Sequence, residues 1–253
     1  MAALREVTRH HFSEAYAFFR NAYALNPNEP RLLYAAAGIL FRADLNDVAD
    51  KWMQQALQRE PNPQRHRMME CYRMMWRRKY SAARAGFALL PADLKGYDYS
   101  ASEGMLYSTI GMKDWPAVIE WCRNHLAENP DKIWPRTYLA IAWEMSERQN
   151  DALQMAEEIV QRGLERLERP AAHDIPWEVQ LYVAWAYRLL NRKEEAYRHL
   201  NEYLAQRTLL HIPLGLENPI LDVFKSDTEF DAIVADLNEK FEVVRRSIRE
   251  NEG

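Results

Sequence analysis

The stretch PRLLYAAAGILFRADLNDVADKWMQQALQREPNP, residues 30–63, decides the fold. Leu32, Leu33, Ala36, Ala37 and Leu40 recur at helical spacing in its first half, and Val48, Ala49, Trp52, Met53 and Ala56 do so in its second. Asn46 and Asp47 suit the turn and cap between them. Two such helices joined by a short turn make an antiparallel hairpin. The alanine of the second helix then recurs along the chain. Ala15, Ala49 and Ala83 are followed by Val118, Ala152 and Ala196, at intervals of 34, 34, 35, 34 and 44 residues. A fixed period of this length means one small unit stacked on copies of itself.

The pattern Ala37, Leu40, Ala49, Met53, Ala56 and Pro61, carried at that period, resembles the tetratricopeptide repeat. The resemblance implies an all-α fold: a right-handed α-α superhelix, a tetratricopeptide-like solenoid, of about five helix pairs with an N-terminal half repeat and a C-terminal helical cap. Arrays of this kind hold other molecules on a concave surface and usually contain no chemistry of their own.

Ala15, Phe19, Ala22 and Pro27 match only the second helix of a repeat, so the first pair is incomplete. An upstream domain or a second copy of the chain, giving a homodimer, would cover its inner side. The third pair spans Gln64 to Leu90, with Cys71, Met74, Ala83 and Phe87 at the expected offsets. The fourth, through Leu106, Thr109, Val118, Cys122, His125 and Pro130, is the weakest, because valine replaces the alanine of close approach. The fifth has Ala140, Trp143, Ala152, Ala156 and Ile159, and its second helix continues towards Leu167, which explains the long interval. The sixth has Ala184, Tyr187, Ala196, Leu200 and Tyr203. From Thr208 the period stops and a last helix is expected from roughly Asp227 to Asn251. The organisation expected is a repeat array over 1–207 and a capping segment over 208–253 within the same body. Residues Asn218 to Phe230, NPILDVFKSDTEF, resemble the closing motif of tetratricopeptide modules appended to bacterial cyclase, TolB-like and winged-helix signalling proteins. The motif there typically has Arg in place of Lys225 and Pro-Arg in place of Thr228-Glu229.

Composition narrows the function. Hydrophobic residues at 48% and charged residues at 28% describe an ordinary globular chain. Only eight glycines occur, and no G-x-G-x-x-G or G-K-[ST] string, which argues against phosphate-cradling loops. The net charge of −4 supplies no overall basic field for nucleic acid or anionic lipid. No apolar run is long enough for a bilayer, and Met1 to Phe12 carries charges where a secretion signal would be apolar, so the expected location is cytoplasmic. Cys71 and Cys122 fall on inward positions and read as small apolar fillers. Cys122 and His125 share a helix face, but two ligands do not make a zinc site. His10 and His11 point apart, as do Glu157 and Glu158, and Glu194 and Glu195. No nucleophile motif occurs, and neither a cofactor nor a metal is expected.

In the arrays this chain resembles, the first helix of every pair lines the concave face. Projecting that pattern selects Arg31, Tyr34, Arg65, Met68, Tyr72, Trp76, Tyr107, Trp134, Trp185 and Arg188 as partner-binding residues. Aromatic and arginine side chains concentrate binding energy at interfaces. The alternative for several of them is packing between adjacent repeats. The lysine and asparagine clamp of chaperone-binding members is absent, since Tyr34 and Gly38 stand in its place. In the third repeat Arg65, Arg67, Arg73, Arg77, Arg78, Lys79 and Arg84 face only Glu70, which fits an acidic protein or peptide partner. The leading expectation is therefore a non-catalytic protein-interaction scaffold, with a bacterial signalling role implied by the closing motif. Two alternatives stay open: an RNA-binding repeat using Tyr72 and Trp76 among those arginines, and an enzyme with an unrecognised site in the concave cavity.

Overall fold

The computed structural model describes residues 21–22, 24–26, 29–95, 100–170, 175–207, 209, 212 and 214–252. The half repeat expected around Ala15, Phe19 and Pro27, the surface for a second copy there, and His10 and His11 lie outside them.

The described chain is all-α and of the α-α solenoid class, its helices pairing in sequence order. Eleven α-helices follow one another: α1 Pro30–Arg42, α2 Asn46–Arg59, α3 Pro63–Trp76, α4 Tyr80–Phe87, α5 Ala101–Gly111, α6 Trp115–Glu128, α7 Ile133–Glu144, α8 Gln149–Glu168, α9 Pro176–Leu189, α10 Lys193–Leu204 and α11 Thr228–Glu252. Two 3₁₀ helices, η1 Gly215–Glu217 and η2 Pro219–Phe224, precede the last of them. α8 is the extended helix that the 44-residue interval required, ending at Glu168. The final helix begins within one residue of its expected start.

The chain divides into two compact units. The first holds α1 to α5 with residues 231–253, and the second holds residues 113–212 and 216–230. Within the first unit α1 packs on α2, α3 on α4 and α4 on α5. Within the second, α6 to α10 pack in succession. Arg245 of α11 donates through Nε to the Ala43 carbonyl at 2.8 Å, fastening the last helix to the α1–α2 turn of the first unit.

The period is written twice in the molecule. Ala49, Ala83, Val118, Ala152 and Ala196 are all fully buried, as are Ala37, Leu106, Ala140 and Ala184 of the preceding helices, with Cys71 nearly so. Five residues before each second-helix position, at Asp44, Arg78, Lys113, Glu147 and Asn191, the backbone turns left-handed, with φ between 58 and 60°. In four of these turns the next amide donates to the carbonyl five residues back: Leu45 to Leu40, Lys79 to Met74, Arg148 to Trp143 and Arg192 to Tyr187, at 2.8–2.9 Å. This bond satisfies an orphan carbonyl at the end of the first helix and reverses the chain. Asn46 and Asp47, expected to form that turn, are instead the first residues of α2, with Leu45 at its N-cap. The left-handed residue, not the polar pair, makes the reversal.

Close approach is tightest at the glycines. A Cβ on Gly104 of α5 would lie 2.4 Å from the Phe87 ring, and one on Gly163 of α8 would lie 2.2 Å from Val183 of α9. Alanine at Gly104 gains about 1 kcal/mol of helix propensity. It must also displace a fully packed ring, so Gly104→Ala is expected to destabilise the protein by about 1–3 kcal/mol in urea unfolding. The opposite sign is expected at Glu147, whose left-handed φ of 60° costs a side chain that glycine would not have. Glu147→Gly should raise the unfolding free energy by about 0.5–1 kcal/mol in the same assay.

Candidate partner-binding face

In the first unit α1, α3 and α5 touch one another in turn, and in the second unit α7 touches α9. First helices thus form a continuous side within each unit, and the ten sequence-selected residues lie on them.

Half of those residues are core. Tyr34, Met68 and Tyr72 are 1% exposed, Tyr107 is 6% and Trp185 is 0%. Tyr34 meets Tyr72 edge-on at 6.5 Å, and the Tyr72 hydroxyl donates to the Ser100 carbonyl at 2.9 Å. For these five, packing between neighbouring helices is what the structure displays, because side chains this large on adjacent first helices fill the space between them. Trp76 is different. It lies on Tyr34, Phe41 and Tyr72 at ring separations of 5.5–5.8 Å, and the residue is partly exposed. Arg31 is exposed, and Arg65 is half-exposed with Nε 3.9 Å from Glu60. Of the remaining basic residues, Arg73 and Arg77 both turn to Asp50 of α2, at 2.7 and 3.7 Å. The positive charge of the third pair is therefore partly neutralised by the second.

In the second unit Trp134 is partly exposed, tilted on Trp121 at 5.5 Å and near His125 at 5.1 Å and Tyr138 at 6.4 Å. Arg188 is committed: Nε and Nη2 donate to the two oxygens of Asp227 at 3.0 and 3.2 Å. The chain's own segment covers this side, for η2 packs on both α7 and α9. Ile220, Leu221 and Phe224 are fully buried there. Asn218, also fully buried, accepts from the Ile220 amide to cap η2, while its Nδ2 donates to the Tyr138 hydroxyl at 2.9 Å. Tyr197 donates to Asp227 at 3.1 Å, and Lys193 reaches Glu229 at 2.8 Å. Burial alone would raise the Asp227 carboxyl, but the hydrogen bonds and charge of Arg188, with Tyr197 and Lys193, hold it below the usual range. Glu144, at the end of α7, is pushed up by burial and by the nearby Asp222 carboxylate.

Sequence reasoning selected Arg188 but none of Tyr138, Lys193, Tyr197, Asn218 and Asp227. The available signal was the Asn-Pro pair at 218–219, an N-cap followed by a helix-starting proline. Burial pushes the Cys71 thiol up to about 11 and Cys122 to about 12, so both stay protonated, and both are free. Among the described residues no cluster of three or more His, Cys, Asp or Glu is placed to hold a metal ion, and no helix is long and apolar enough to cross a membrane.

No known protein family and no curated protein matches this chain in sequence. Among solved structures it is similar to PilW, described as a widely conserved type IV pilus biogenesis factor. The identity is 15%, the TM-score 0.51, and the match covers 88% of this chain and 95% of that one. At this identity the likeness concerns the fold, and it supports a tetratricopeptide-like helical repeat.

One buried base gives the second unit a pH dependence. His199 Nδ1 meets Gln180 Oε1 at 2.5 Å, and Nε2 is buried without a hydrogen-bond partner while the ring stacks on Tyr187. Burial, then Arg198, lowers its pKa, with Glu202 and Glu195 opposing less strongly. The unfolded chain therefore takes up this proton first as pH falls below about 6.5, and stability is lost in that direction. Glu144 acts oppositely, since its raised pKa favours the protonated folded form on acidification. Thermal melts at pH 7 and pH 5 should show a smaller acid loss in His199→Gln than in the parent, and a larger one in Glu144→Gln.

Proposed function

We propose that the chain is a non-catalytic scaffold that holds a segment of a partner protein against the inner sides of its first helices. The observation that carries this reading is the Trp76 platform: a partly exposed tryptophan supported from below by three aromatic rings, on the helix that also carries Arg65. Partly exposed aromatic and arginine side chains are the kinds in which interface energy concentrates. Trp134, on its own aromatic support, is an anchor of the same kind within the second unit. The partner segment is acidic, matched to Arg31 and Arg65. The tetratricopeptide-like fold supports the reading, since such repeats build extended binding surfaces.

The regulatory role in a bacterial signalling protein is supported by the likeness of residues 218–230 to the closing motif of such modules. A cytoplasmic location is supported by two buried, protonated thiols. RNA recognition at the third pair is the weaker reading, because Arg73 and Arg77, which would meet phosphates, are already engaged by Asp50.

The test is partner capture from lysate by the parent, by Trp76→Ala with Trp134→Ala, and by Arg31→Glu with Arg65→Glu. Each double variant should retain partners about thirtyfold less well, with helical circular dichroism unchanged. Capture by the parent should fall with added salt. Equal retention by parent and both variants would refute the assigned surface.

A further inference from the structure

We propose that residues 218–227 are a built-in occupant of the α7–α9 surface, and that this surface takes from a partner protein an apolar–acidic segment of the same chemistry, in competition with them. The proposal rests on the scaffold reading above and narrows its partner class.

The occupant displays what the surface accepts. Three apolar side chains, Ile220, Leu221 and Phe224, are buried completely, and one carboxylate, Asp227, is received by Arg188 with both its oxygens and by Tyr197. An amide, Asn218, engages Tyr138 at the other end. The receiving groups come from α7, α9 and α10, so they belong to the helix pairs and not to the segment. What would then be uncovered is an apolar strip ending in a cation and a phenol, complementary to an apolar run followed by an acidic residue.

Three features favour exchange of the occupant for another segment. The Trp185 indole N–H is fully buried with no acceptor. Trp185 precedes Arg188 by three residues and so lies on the same side of α9. A partner backbone carbonyl reaching that indole would satisfy a buried donor that has no acceptor in the chain, and unmet buried donors are costly. Asp222 also brings a carboxylate towards Glu144, and that repulsion would vanish for a segment carrying a neutral residue there. Residues 219–224 of the occupant are moreover a 3₁₀ helix, whose hydrogen bonds are poorer than those of an α-helix. A competitor's apparent affinity is reduced by the fraction of molecules in which the surface is closed. Loosening the occupant must therefore strengthen binding in trans.

The probe is a fluorescent peptide spanning residues 216–230, added to the full chain as parent, as Asp227→Asn, and as Asp227→Asn with Arg188→Gln. The peptide should bind Asp227→Asn about tenfold more tightly than the parent. It should lose that gain when Arg188 is also replaced, or when the peptide itself carries Asp227→Lys. Hydrogen exchange should show the amides of 220–224 released in Asp227→Asn and re-protected by peptide. If Asp227→Asn does not fold, Asn218→Ala loosens the other end and must give the same gain. Equal peptide affinity for parent and variant, with amides of 220–224 shown to be released, overturns the proposal, as does unchanged protection of those amides in both variants. Light scattering that shows Asp227→Asn dimerising without peptide overturns the foreign partner in favour of a second copy. None of these readouts involves Trp76 or Trp134, so the general scaffold reading fails or survives separately.

Discussion

Everything in this molecule depends on how closely two antiparallel helices can lie. The limit is set at Ala49, Ala83, Ala152 and Ala196, each fully buried and carrying only a methyl side chain. Small residues at that point bring neighbouring helices near enough for the large ones, Leu40, Met53 and Phe87 among them, to be buried beside them. The left-handed residue five positions earlier is the second half of the same constraint. It returns the chain on a fixed path and so delivers each alanine to its place.

That regularity leaves the first helices side by side, and their outward side chains have two fates. In the first unit they stack on one another, which buries Tyr34 and Tyr72 and props up Trp76. In the second unit the chain's own residues 218–227 lie over them. The difference is chemical: one surface is an aromatic platform partly open to solvent, and the other is an apolar strip closed by an internal ion pair. Asp227 is the polar anchor of that closure, since Arg188, Tyr197 and Lys193 all turn to it.

The repeat was legible because it rests on residue size at a fixed interval, and size is printed in the sequence. The 44-residue gap correctly implied one long helix. The turn chemistry was misjudged at Asn46 and Asp47. A left-handed backbone at Arg78, Lys113 or Glu147 has no residue signature, since the hairpin around it imposes the conformation. The inner-side residues were legible as positions but not as exposures. Whether Trp185 or Arg188 is free depends on a segment up to 39 residues away, and Tyr138 on one 80 residues away, and no local pattern records such pairings.

The hairpin turn is where the account is most directly exposed to measurement. Native-state hydrogen exchange should find the amides of Leu45, Lys79, Arg148 and Arg192 all protected, although three of these residues are exposed, because each donates to a carbonyl five residues back. Exchange of these four at the rates of an unstructured chain would contradict the stacked-hairpin architecture on which every later step relies.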